Sequence, residues 1–227
     1  MSARTIIVTG AFGTLGSVVA TAFADAGDKV ARVDYAPAPD QPLDGGIDLG
    51  GKDLSDADTA KAVVAEVAEK LGSIDVLVNI AGGFVWETLD DGDTATWQRM
   101  FALNAMTCAN MCKAALPELM KASGAHIVNI GAKGALAADA GMGSYGASKS
   151  AVHKLTESLA AEMSGKDITV NAILPTIIDT EANRKDMPDA DFSEWVKPQA
   201  IADVIMFLAS DKARAINGAL VPVSRGA

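Results

Sequence analysis

Three glycines spaced three residues apart constrain this chain more than any other feature. They stand in Gly10-Ala11-Phe12-Gly13-Thr14-Leu15-Gly16, between the run Arg4-Thr5-Ile6-Ile7-Val8-Thr9 and a helical pattern over 17–23 that ends at Gly27. The β-branched run predicts a short buried strand. Gly10 permits the tight turn, Gly13 lets backbone approach a pyrophosphate, and Gly16 lets the helix sit close to the sheet. The helix start then offers unpaired N–H groups and a positive dipole end to phosphates. A plain strand–helix connection rarely needs three glycines.

The second strand, Lys29-Val30-Ala31-Arg32-Val33, ends at Asp34. An acidic residue there can accept hydrogen bonds from both ribose hydroxyls of adenosine and would repel a 2′-phosphate, which predicts a preference for NAD(H) over NADP(H). Arg32 lies two residues earlier, on the same side of a regular strand, and would soften that preference, so NADP(H) stays open.

Strand and helix then alternate. After the proline-rich loop Ala36-Pro37-Ala38-Pro39-Asp40-Gln41-Pro42, a weak third strand is predicted near 45–54 and a helix over 55–71. The remaining strands are predicted at 74–79, 126–130, 168–174 and 219–223, and the remaining helices at 97–122, 144–163 and 199–210. Strands this apolar, separated by helices, predict an α/β fold: a Rossmann-type doubly wound parallel sheet of about seven strands with helices on both faces. The 227 residues leave little room for more than one domain, so 1–227 is read as a single dinucleotide-binding unit.

A second constellation lies in Gly143-Ser144-Tyr145-Gly146-Ala147-Ser148-Lys149. On a helix, Tyr145 and Lys149 share one face, one turn apart. The ammonium is expected to stabilise phenolate and draw the tyrosine pKa down from about 10.

Composition narrows the classes. With 19 Lys and Arg against 29 Asp and Glu the net charge is −10, which argues against nucleic-acid or anionic-membrane partners. No stretch has the apolar length of a membrane span, and the first strand begins too early for a signal peptide, so a cytoplasmic location is expected. Cys108 and Cys112 stand at i and i+4 without a second pair or a histidine, which predicts buried free thiols and no metal site. His126 and His153 are isolated in sequence, and no Gly-x-Ser-x-Gly elbow exists. Asp90-Asp91-Gly92-Asp93 suits a solvated loop and helix cap, because the later ligands of a calcium loop are missing.

The glycine turn, Asn79-Ile80-Ala81-Gly82, Asn104, and the Tyr145/Lys149 pair, in that order, resemble the short-chain dehydrogenase/reductase family over essentially the whole chain. The resemblance implies an enzyme that moves hydride between nicotinamide and a small molecule. Gly10, Phe12, Gly13, Thr14, Leu15 and Gly16 would cradle the dinucleotide, with Asp34 at the ribose. Asp53 and Leu54 would hold the adenine edge, with Asp48-Leu49 as the competing choice. Asn79, Ala81 and Gly82 would back the ribose, while Pro175, Ile178 and Thr180 would serve the carboxamide and pyrophosphate. Tyr145 would be the acid–base, Lys149 would hold the nicotinamide ribose, and Asn104 would anchor a relay water. The helices bearing Cys108 and Tyr145 would pair across a two-fold axis in a homodimer or homotetramer.

Two departures stand out. Thr14 occupies the place of a middle glycine, and Ala132 stands thirteen residues before Tyr145, where the family has a serine. Both departures resemble the quinonoid dihydropteridine reductase branch, as do Gly131-Ala132-Lys133, Ala151-Val152-His153, Asn183-Arg184-Lys185, Met187-Pro188 and Asp191-Phe192-Ser193-Glu194-Trp195. Asn104 and the stretch Asn217-Gly218-Ala219-Leu220-Val221-Pro222-Val223 resemble the general family instead. Phe84, Trp86, Met187, Phe192 and Trp195, with Ala132, are the expected substrate residues, and aromatic faces suit a flat cyclic or quinonoid substrate. Lys133 and Ser144 are the nearest replacements for the missing hydroxyl. A 3-oxoacyl-thioester or simple ketone reductase is the alternative, and a non-catalytic dinucleotide sensor is disfavoured by Tyr145, Lys149 and Asn104.

Overall fold

The computed structural model describes residues 3–224. Ile7 and Leu77 face one side of the sheet while Ile6, Val8, Val76 and Val78 face the other, and all are fully buried. Apolar side chains on both faces demand cover on both faces, and helices supply it. The strands are β1 (Thr5–Thr9), β2 (Lys29–Val33), β3 (Ile47–Leu49), β4 (Val76–Asn79), β5 (Ala125–Ile130), β6 (Ile168–Pro175) and β7 (Leu220–Val223). They form one sheet, ordered β3-β2-β1-β4-β5-β6-β7, with every pairing parallel. Helices α1 (Thr14–Asp25) and α7 (Pro198–Leu208) pack one face. Helices α2 (Ala57–Leu71), α4 (Thr107–Leu119) and α5 (Gly143–Glu162) pack the other.

The strand order reverses between β1 and β4, and a crevice opens beyond their carboxyl ends. Two loops cross there at close range. Thr9 Oγ1 accepts hydrogen bonds from the N–H groups of Ile80 and Ala81 at 3.0 and 3.1 Å. Gly10 has φ +65°, and a Cβ on it would lie 2.8 Å from Ala81 N. Only glycine meets both conditions.

The sequence reading differs from the structure most in the long helix expected over 97–122. It is three pieces: α3 (Thr94–Met100), a π-helical turn (Phe101–Met106) and α4. Asp93 starts α3 early by accepting from Ala95 N at 2.9 Å. The π turn changes hydrogen-bond spacing without a marker residue such as proline, so apolar periodicity runs through it. The weak third strand shrinks to three residues. Helix α6 (Glu181–Asp186) was not expected; it is a short element capped by Thr180, whose Oγ1 accepts from Asn183 N at 3.1 Å.

Candidate active site

The glycine turn ends at Gly13, the N-cap of α1. No side chain caps that end and no acidic residue stands in its first turn, so its N–H groups face outward for an anion. A cleft of about 770 Å3 opens in front of it. Of the residues singled out from sequence, Gly10, Phe12, Gly13, Leu15, Gly16, Asp34, Asp53, Leu54, Ala81 and Gly82 line this cleft. An uncapped helix start, a glycine cradle and an acid opposite fit a dinucleotide. Thr14 is exposed and is not among the lining residues.

Asp34 keeps acceptor capacity. Oδ2 accepts from Phe12 N at 2.9 Å and Oδ1 from Ala36 N at 3.0 Å, which leaves lone pairs on both oxygens for ribose hydroxyls. Arg32, expected to soften that selectivity, does not line the cleft. Its guanidinium is drawn away by Asp48, at 2.6 Å. The same pairing removes Asp48 from the cleft, whose wall carries Asp53 instead.

Asn79 also corrects the sequence reading. Its side chain is buried in the core, where Nδ2 donates to Asn129 Oδ1 at 2.9 Å, so it does not face the cleft. Sequence reasoning missed Tyr35, Lys52, Arg99 and Leu103, all on the cleft wall. Tyr35 was legible as the neighbour of Asp34; Arg99 and Leu103 come from a helix that only the fold brings near.

Tyr145 and Lys149 lie in the first two turns of α5. Lys149 is buried, and its Nζ donates to Ile130 O at 2.8 Å. Burial lowers its pKa to about 8. Burial also pushes the Tyr145 phenol up to about 12. The depression expected of the tyrosine is not what the fold produces: desolvation sets the direction of its shift, and the Lys149 ammonium is committed to a carbonyl. A phenol this weakly acidic keeps its proton across the neutral range.

Asn104, in the π turn, is 1 % exposed. Its Oδ1 accepts from Gly83 N at 2.9 Å, and Nδ2 donates to Gly83 O and to Ser148 Oγ, each at 3.0 Å. A Cβ on Gly82 would lie 2.5 Å from Asn104 Oδ1 and 3.3 Å from Lys149 Nζ, which shows how closely the three converge. The amide thus clamps the loop after β4 onto α5. That role uses both N–H groups of the amide and one lone pair of its oxygen.

The lowered lysine pKa carries a testable sign. The folded protein sheds the Lys149 proton near pH 8, the unfolded chain near 10.5, so stability rises with pH between those values. Below pH 8 the buried charge destabilises the fold by at most about 3 kcal/mol. Lys149→Met removes that penalty but orphans the Ile130 carbonyl, which costs about 1–3 kcal/mol. The variant is expected to melt no lower than wild type at pH 7, with wild type gaining on it from pH 8 to 10. A Tm difference independent of pH would show that the lysine pKa is not depressed.

Ala132 is buried beyond the end of β5, and its N–H donates to His153 Nε2 at 3.2 Å. Burial, then the charge of Lys149, lowers the His153 pKa, so the ring is a neutral acceptor there. His153, one turn after Lys149, thereby joins the site that its isolation in sequence kept it from. The residues expected to replace the missing hydroxyl stand in different surroundings. Lys133 is exposed, and Ser144 Oγ is buried without a hydrogen-bond partner among the described residues.

Phe84 meets Tyr145 edge to face, with ring centres 4.9 Å apart. Trp86 is 62 % exposed, and its Nε1 donates to Ala140 O at 3.1 Å. Two loops thus close against each other beside the phenol. Phe192 packs against Trp195 with the rings tilted by 53° and their centres 4.7 Å apart, and it carries the Arg184 guanidinium on its ring at 4.7 Å. Trp195 itself is 5 % exposed, an anchor of its segment and no substrate wall. Met187 is half-buried at the end of α6. Pro175 closes β6, Ile178 bridges to Val196 and Thr180 caps α6; none of the three lines the cleft.

Comparison with known proteins was consistent with this geometry. Residues 4–191 match the family model for short chain dehydrogenases. The meso-2,3-butanediol dehydrogenase of Serratia marcescens is 32% identical over 238 residues, covering 99% of this chain and 94% of that protein. A 3-oxoacyl-[acyl-carrier-protein] reductase of Thermotoga maritima is 28% identical over 242 residues, covering 100% and 98%. The ligand-free aldohexose dehydrogenase of Thermoplasma acidophilum superposes with a TM-score of 0.89 at 30% identity, covering 99% of this chain and 93% of that one.

Proposed function

The chain belongs to the short-chain dehydrogenase/reductase family and is an NAD(P)-dependent oxidoreductase, and we propose that it reduces a flat, conjugated small molecule with NADH. Ala132 carries this reading. Where family members place a serine, this chain offers a methyl group whose backbone N–H is already bound to His153. One preorganised donor at a reacting oxygen is worth about 3 kcal/mol in the transition state. An acceptor whose charge spreads over a quinonoid or imine system needs fewer donors at one atom. The motifs shared with the quinonoid dihydropteridine reductase branch support the same choice. The relatives named for butanediol and 3-oxoacyl thioesters favour the second reading, a ketone or alcohol substrate.

Bound nicotinamide supplies or accepts the hydride. Asp34, the glycine turn and the start of α1 would hold its dinucleotide, and Lys149 its ribose. Tyr145 delivers the proton from its hydroxyl to the reduced acceptor, and the raised phenol pKa keeps that proton in place before reaction. The Phe84 edge fixes the ring of Tyr145. Met187 and Phe192 form the far wall in this reading. Asp34 makes NADH the preferred cofactor, and no helix among the described residues is long and apolar enough to cross a membrane. We further propose a homodimer or homotetramer in the cytoplasm; Trp97, Phe101 and Met106, exposed on α3 and the π turn, support the expected helix pairing.

Ala132→Ser separates the two substrate readings. The ratio of kcat/KM for simple ketones to that for quinonoid dihydropterin is expected to rise, by at most about a hundredfold for one restored donor. If wild type already reduces ketones at rates ordinary for the family and Ala132→Ser changes nothing, another donor fills the place and the flat-acceptor reading fails.

A further inference from the structure

A buried cation lies beside the cleft without lining it. Arg32 stands on β2 two residues before Asp34 and is 8 % exposed. Its Nε and Nη2 donate to the two oxygens of Asp48, each at 2.6 Å, and Nη2 also donates to Gln41 O at 3.1 Å. Arg32 and Asp48 are register partners across β2 and β3. The guanidinium also lies 5.6 Å from the centre of the Phe12 ring, and it is the Phe12 N–H that donates to Asp34 Oδ2. Phe12 therefore touches both groups, its ring the cation and its backbone N–H the acid on the cleft wall.

We infer that Asp48 governs cofactor choice at one remove, as a positioning residue that withholds Arg32 from a 2′-phosphate on the adenosine ribose. This rests on the reading that Asp34 receives that ribose. A buried guanidinium requires an anion, and carboxylate and phosphate oxygens match its fork equally well. While Asp48 holds the fork, a 2′-phosphate can recruit Arg32 only by stripping Asp48 of its partner. Selectivity then has two layers: Asp34 repels the phosphate directly, and Asp48 denies it this buried cation. Removing the first layer leaves the second in force.

The test is binding of NADPH and NADH, each titrated alone by calorimetry. Asp34→Asn is expected to narrow the preference for NADH without producing tight NADPH binding. Adding Asp48→Asn should then tighten NADPH about tenfold further, the worth of one hydrogen bond to a charged group, and leave NADH unchanged. Adding Arg32→Gln to that pair should abolish the gain, although Lys52 and Arg99 still line the cleft. Equal NADPH affinity with and without Asp48→Asn overturns the inference. So does a gain that survives Arg32→Gln, because it would come from lost negative charge alone. If Asp48→Asn does not fold, the amide pair Arg32→Gln with Asp48→Asn, placed in Asp34→Asn, is compared with Asp34→Asn itself. Unchanged NADPH affinity supports sequestration; a loss shows that Arg32 was already in contact and overturns it. Equal binding of NADH and NADPH by wild type would instead sink the Asp34 reading, which none of the Asp48 comparisons measures.

Discussion

Tyr145→Phe is expected to lower kcat for reduction by about a hundred- to ten-thousand-fold, the usual share of a positioned general acid, while NADH affinity is unchanged. The substitution is clean because the ring stays. Phe84 packs edge to face on that ring at 4.9 Å, and the phenylalanine keeps the contact. Only the proton is lost, and with the phenol pKa up at about 12 it is present on every molecule at neutral pH. The readout is single-turnover reduction at saturating NADH, with NADH binding measured separately. Turnover near that of wild type would mean that the proton arrives from solvent or another group, and α5 would then position the substrate without protonating it.

The other large effect belongs to the glycine turn. A Cβ on Gly16 would lie 2.0 Å from Gly10 O and 2.7 Å from Ala11 Cα, and both are backbone atoms with nowhere to yield. Gly16→Ala is expected to push α1 off the sheet, at a cost of about 1–3 kcal/mol for overpacking. A domain of this size loses about 2–4 °C of Tm per kcal/mol. Dinucleotide binding should fall with it, since the N–H groups at the start of α1 move together. Gly13→Ala is the informative contrast. Its Cβ would meet only Gly10 O, at 3.5 Å, an ordinary contact. That variant should keep the wild-type Tm yet bind NADH more weakly, because the added methyl stands where a pyrophosphate would approach. If Gly13→Ala binds NADH normally, the phosphates do not rest on this turn.

Much of this was legible in the chain itself. A residue's backbone freedom and the spacing of its apolar neighbours are local properties, so the glycine turn, the seven strands and the Tyr145/Lys149 face could be read directly. The cysteines are free and buried, as their spacing suggested. What escaped were pairings between residues far apart in sequence. Arg32 meets Asp48 across two strands, His153 meets Ala132 across a helix and a loop, and Asn104 leaves a π turn to clamp Gly83. Each pairing supplies a partner that the sequence did not show: Arg32 is held by a carboxylate, an isolated histidine lies against Ala132, and Asn104 clamps a loop. Lys149 and Tyr145 show the same division. Sequence places them one turn apart, but burial decides their pKa values, and it moves the tyrosine opposite to what proximity alone suggests. Charge and hydrogen-bonding capacity belong to the residue type, whereas the partner that satisfies them and the water withdrawn from them are set only when the chain packs.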